Sequence, residues 1–158
     1  MPLSSEMQRL RAEHAALVTL SRIILDMTRA SHPPDATELA SARGVLRETL
    51  VRHLKCEDWV LYPRLNATGD PELMRITRAF ELEMGDLAAE FVAYDDTWTA
   101  ERVAADWPGF CRETARIFDM LAVRVEREER ELYPLADKLY AASSAIDIAV
   151  RDGSTISS

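Results

Sequence analysis

At 158 residues, 47% hydrophobic and 29% charged, the chain has the size and balance of one globular domain that buries its core without disulfide staples. A net charge of −8 and a pI near 4.9 argue against a partner made of nucleic acid or anionic membrane, because phosphates need a basic face. No apolar run nears the roughly 18 residues that span a bilayer, and residues 1–16 lack the basic-then-apolar order of a signal peptide. Cys56 and Cys111 carry no disulfide or metal spacing, so the expectation is a cytoplasmic protein with reduced thiols.

Ala, Leu, Glu and Arg dominate and Gly is scarce, which favours helix. Four segments place apolar residues at helical spacing. The first runs Leu10, His14, Leu17, Ser21, Ile24, Leu25, Thr28, with Ser4 or Ser5 as its cap and Pro33-Pro34 beyond its end. The second runs Leu39, Leu46, Leu50, His53, Leu54, Glu57, Val60, Leu61 and stops near Pro63, before the turn-rich stretch 66–71. The third runs Leu73, Ile76, Phe80, Met84, Leu87, Phe91, Tyr94. The fourth runs Phe110, Thr114, Ile117, Leu121, Arg124, Glu128, Leu132, Leu135, Leu139, with Pro108 in its first turn and a kink, or a break and restart, expected at Pro134. The spacing predicts helices near 5–30, 37–65, 71–96 and 109–141, and nothing alternates with the strand period of two. Short connections make neighbouring helices antiparallel, so the fold class is an all-α, up-down four-helix bundle. It forms one domain over residues 1–150, followed by a polar, frayed tail at 151–158.

Each stripe carries polar or odd residues at mid-helix: His14; His53 with Glu57; Met84; Arg124 with Glu128. The second and fourth segments also repeat one another. His53-x3-Glu57-Asp58-x2-Leu61-Tyr62-Pro63 and Arg124-x3-Glu128-Glu129-x2-Leu132-Tyr133-Pro134 share an acid-acid-x2-Leu-Tyr-Pro string at an offset of 71. Glu13-His14 matches Glu83-Met84 at an offset of 70. Two helical hairpins related by a pseudo-two-fold would send all six of these side chains to one central region. Residues four apart share a helix face, so His53 and Glu57 offer an imidazole and a carboxylate to one ion, a pairing that suits iron, zinc or manganese. Two buried carboxylates, Glu57 and Glu128, demand a positive partner.

From His14, through the His53 and Glu57 string, to Glu128-Glu129-x2-Leu132-Tyr133-Pro134, roughly residues 8–140 resemble the hemerythrin-like, or HHE cation-binding, domain. The resemblance implies one element per helix, in the order His, His-x3-Glu, His, His-x3-Glu. It also implies two irons bridged by two carboxylates, serving oxygen binding or iron and oxygen sensing. This chain departs from the pattern at two ligands, Met84 and Arg124, both in the same half of the pseudo-two-fold. Two readings follow. One non-heme iron, or another divalent ion, is held by His14, His53, Glu57 and Glu128; or no cofactor binds, and Arg124 pairs with Glu57 and Glu128 in a metal-free module that docks a protein partner. In either case at most one metal is expected. A sensory, regulatory or iron-handling role then fits better than oxygen carriage.

The plainer alternatives stay open from sequence alone. His14 reads as a core histidine, His53 with Glu57 as an intrahelical pair, Met84 as core filler, Arg124 as a snorkelling side chain and Cys56 as a small hydrophobe. Tyr62 and Tyr133 read as packing residues near helix ends, and the acidic run 126–131 as a solvated face apart from Glu128. No nucleophile elbow, phosphate loop or zinc-finger spacing supports a hydrolase or transferase.

Overall fold

The structure, a computed structural model, describes residues 2–142, with side chains from residue 5 onward. The helices are α1 (Pro2–Thr28), α2 (Ala36–Cys56), α3 (Tyr62–Asn66), α4 (Pro71–Met84), α5 (Leu87–Thr97), α6 (Ala100–Ala105), α7 (Trp107–Arg127) and α8 (133–142). The described residues contain no strand. Among the described residues no helix is long and apolar enough to cross a membrane. The expected boundary at 150 and the tail 151–158 lie outside the described residues.

These helices form four antiparallel rods: α1; α2 with α3; α4 with α5; and α7 with α8. Cross-contacts fix the directions. The start of α1 meets the far ends of the second and fourth rods, through Glu6 with Arg64 and Arg11 with Asp137. The start of α2 meets the end of α5, through Arg43 with Asp95. The end of α1 meets the start of α7, where the Trp107 indole N–H donates to the Ala30 carbonyl at 2.9 Å. Apolar residues gather in two layers. The larger holds Leu17, Ile24, Leu50, Phe91, Trp98, Phe110 and Ile117. The smaller holds Leu10, Leu61, Tyr62, Phe80, Leu132 and Tyr133. Between them, in three of the four rods, fall the buried polar residues Glu13, His14, His53, Glu57, Arg124 and Glu128, so the bundle carries a charged layer sandwiched by oil.

Three local features differ from the sequence reading. First, Pro63 and Pro134 neither end nor simply kink their rods. A proline ring clashes with the carbonyl four residues back and supplies no N–H. Both rods meet that demand by widening into a π-turn, Glu57–Leu61 and Glu128–Leu132, whose amides close five residues apart, Tyr62 to Glu57 and Tyr133 to Glu128. Second, the third rod is broken at Gly85-Asp86. The Gly85 amide caps α4 on the Glu81 carbonyl, and a β-carbon at Gly85 would sit 2.4 Å from that oxygen. Third, α1 starts at Pro2, which places Ser4 and Ser5 inside the helix and not at its cap.

The fourth rod starts two residues earlier than expected because Asp106 caps it. Its carboxylate accepts from the Gly109 amide at 3.0 Å, with Pro108 inside the first turn. A β-carbon on Gly109 would overlap that carboxylate, so the cap and the glycine require each other. Asp106→Ala is expected to lower unfolding stability by about 1 kcal/mol, measured by urea denaturation.

Candidate metal centre

Four side chains from three rods converge in the polar layer. His14 comes from α1, His53 from the last turn of α2, and Glu57 and Glu128 are the first residues of the two π-turns. One donor atom from each lies within 4.8 Å of every other, and all four residues are buried. His53 Nε2 is 2.9 Å from Glu57 Oε1, and His14 Nε2 is 3.5 Å from Glu128 Oε1. The His53 Nε2 contact does not have hydrogen-bond geometry, and that atom has no hydrogen-bond partner among the described residues.

The far side of each imidazole is held by a carboxylate. His53 Nδ1 faces Glu13 Oε1 at 3.2 Å, and His14 Nδ1 faces Glu129 Oε1 at 2.9 Å. Carboxylates in this position orient a ligating histidine and fix which nitrogen keeps its proton. Glu13 is itself clamped by Arg52. Two tyrosines complete the layer by crossing between the repeats. The Tyr62 hydroxyl donates to Glu128 Oε2 at 3.1 Å, and the Tyr133 hydroxyl donates to Glu57 Oε2 at 3.0 Å. The π-turns make this possible. Five residues of ideal α-helix carry a side chain about 140° away from its starting direction, whereas a five-residue closure returns it to the same face.

The other half of the pseudo-two-fold is built differently. Arg124, 1% exposed, reaches into the layer from α7. Its Nη1 donates to the Met84 carbonyl at 3.0 Å, and Nη2 donates to the Tyr62 hydroxyl at 3.3 Å. Its guanidinium lies 3.5 Å from each of Glu57, Glu128 and Asp58. These are ion-pair distances spread over three carboxylates rather than one bidentate clamp. Met84 departs from the expected convergence of six side chains. It ends α4, meets Arg124 through its backbone, and lays a half-buried side chain against the smaller apolar layer.

Proton placement follows from burial and charge. Burial drives both carboxyls upward, but Glu57 ends well below the usual carboxylate range, because Glu128 hydrogen-bonds to it and His53 and Arg124 stabilise its charge. Glu128 is pushed well above that range by burial and by the Glu57 charge. The two carboxyls therefore titrate as one coupled pair, with Glu57 the more acidic member. Burial and the neighbouring His53 lower His14. His53 rises in spite of burial, because Glu57 and Glu13 flank it. Arg124 also rises against burial, held by Glu128 and Glu57.

Glu13, Glu129 and the inward role of both tyrosines were not evident from the stripes. Glu129 belongs to the acidic run read as solvated; its carboxylate is partly exposed, yet one oxygen bonds His14. The adjacent pairs Glu13-His14 and Glu128-Glu129 were the available signal. An outer carboxylate one residue from an inner ligand on one helix can serve a ligand on the next.

The donor set suits a divalent ion. It offers two imidazole nitrogens, two carboxylates, outer carboxylates on both rings, and a buried nitrogen without a hydrogen-bond partner. No curated protein and no solved structure shows significant similarity to the chain. A family model, the hemerythrin HHE cation-binding domain, matches residues 6–136, most of the sequence and all of the polar layer, and the chain belongs to that family.

Proposed function

We propose that this domain holds one metal ion at His14, His53, Glu57 and Glu128, and that Arg124 supplies the positive charge a second ion would bring. The observation that carries the proposal is the asymmetry of the polar layer. One half offers imidazole lone pairs backed by carboxylates, while the other half is filled by a guanidinium. Iron is the metal the family resemblance favours. When bound it would supply a Lewis-acidic, redox-active centre; the protein's own part is to orient both rings and to keep the site dry. A single ion between a fixed cation and two carboxylates suits sensing or iron handling better than oxygen carriage, which in the family depends on two irons.

Protein purified without chelator and titrated anaerobically with Fe(II) is expected to bind one equivalent per chain, with loss of binding in His14→Ala and His53→Ala. Glu129→Gln, which keeps the shape but weakens the hold on the His14 ring, is expected to reduce affinity by roughly 10–100-fold. Two equivalents, or one that survives both histidine substitutions, would overturn the proposal. A second reading is favoured by the placement of Arg124. Its guanidinium already lies 3.5 Å from both Glu57 and Glu128, so a buried cation faces the two carboxyls without any metal, as in an interaction module. That reading holds if no metal binds and the fold is unchanged.

A further inference from the structure

The geometry points to Tyr133 as a fifth donor to the ion, through its phenol oxygen. This inference rests on the one-metal reading above and extends it to a residue type outside the histidine and carboxylate set.

Tyr133 is fully buried, and its oxygen lies 3.0 Å from His14 Nε2 and 3.0 Å from Glu57 Oε2. Its ring stacks on the His14 ring at 5° between planes, which limits how far the phenol can swing away. The phenol has one hydrogen for two neighbours: a neutral His14 ring whose Nδ1 hydrogen is directed at the Glu129 carboxylate offers its Nε2 lone pair, and Glu57 offers a carboxyl oxygen. A cation placed between His14 Nε2 and Glu57, at ordinary bonding distances of about 2.0–2.2 Å, comes within reach of the phenol oxygen as well. The pseudo-symmetric Tyr62 is a built-in contrast. Its oxygen accepts from Arg124 and donates to Glu128, so it faces the guanidinium half and has no imidazole beside it. The two tyrosines occupy equivalent positions of the repeat, yet only Tyr133 stands at the metal half.

Coordination breaks the phenol O–H bond and forms an oxygen–metal bond, and the proton passes to buffer with no change of oxidation state when the metal is supplied as a trivalent ion. Ferric nitrilotriacetate is therefore the probe. Wild-type protein is expected to develop a visible phenolate-to-iron charge-transfer band with tyrosinate modes in its resonance Raman spectrum, and to give a tyrosinate ultraviolet difference spectrum with gallium(III). Tyr133→Phe is expected to lose the band while still binding metal, and Tyr62→Phe to keep it. Histidine-dependent metal binding in the wild type without any tyrosinate signal would show Tyr133 to be only a hydrogen-bonding neighbour, and so would a band that survives Tyr133→Phe. Absence of metal binding altogether would instead defeat the one-metal reading. Should Tyr133→Phe misfold, the wild-type protein and Tyr62→Phe still decide: no tyrosinate signal in the wild type, or a signal lost in Tyr62→Phe, overturns the assignment.

Discussion

Arg124→Ala is expected to destabilise the metal-free domain by roughly 3–5 kcal/mol, the scale seen when one partner of a buried ion pair is removed. The guanidinium is almost completely enclosed, and it is the cation beside Glu57, whose carboxylate is fully buried and ionised. Its removal also leaves the Met84 carbonyl without the donor it has now. For a domain of this size each kcal/mol moves the melting temperature by roughly 2–4 °C, so a fall on the order of 10 °C should be plain in a calorimetric scan. Arg124→Lys should fall between the two proteins. It keeps the charge but cannot reach Met84, Tyr62 and the carboxylates at once with a single ammonium. Adding a divalent ion to Arg124→Ala should restore part of the loss by mass action. A variant that melts like its parent would mean that Glu57 takes up a proton instead and that the guanidinium contributes nothing to the fold.

Met84→His combined with Arg124→His is expected to raise iron uptake from one equivalent to two. The inner carboxylates are already there, and the outer ones remain as well. Glu129 backs His14 in the intact half; its counterpart at the repeat offset is Asp58, which now contacts Arg124. Glu13 backs His53; its counterpart is Glu83, which now pairs with Arg127. The lost half has thus kept its oxygen atoms and exchanged only its nitrogen donors. Elemental analysis of the double variant after anaerobic loading measures the outcome. Uptake that stays at one equivalent would locate the obstacle in the break at Gly85, which alters how residue 84 is presented.

Much of this architecture was legible before any coordinates. The stripes located all four rods, and the burial of His14, His53, Glu57, Arg124 and Glu128 follows from their positions between apolar neighbours. The π-turns were less visible, because side-chain periodicity does not report which carbonyl an amide closes on. A trace of them exists in the buried series Arg124, Glu128, Leu132, Ala136, Tyr140 and His53, Glu57, Leu61, Leu65. Each step of four drifts about 40° around an ideal α-helix, so either stripe would wander well off its face unless a widened turn took the drift back. The break after Met84 was hidden for a different reason. Leu73, Phe80, Leu87, Phe91 and Tyr94 keep one apolar face across it, so the pattern continues where the backbone does not. Met84 was expected as an inward side chain for the same reason. Glu129 and Glu13 escaped notice because an acidic residue beside a stripe looks the same from sequence whether it meets water or an imidazole on the next rod.

The widened turns also set how the gene for such a domain can vary in length. Loops between rods absorb insertions and deletions easily, but residues 58–61 and 129–132, already one residue wider than an α-turn, cannot absorb a further insertion. One more residue there would turn everything beyond it by about 100°. Leu65 and Tyr62 in one rod, or Ala136 and Tyr133 in the other, would leave the interior together. The damage would be confined to one end: the layer built on Phe110 and Trp98 lies on the other side of the polar residues and would keep its phase. Spacing is therefore as much a constraint here as residue identity, and a relative that has changed every ligand could still be traced by the unvaried count from each inward glutamate to its Tyr-Pro.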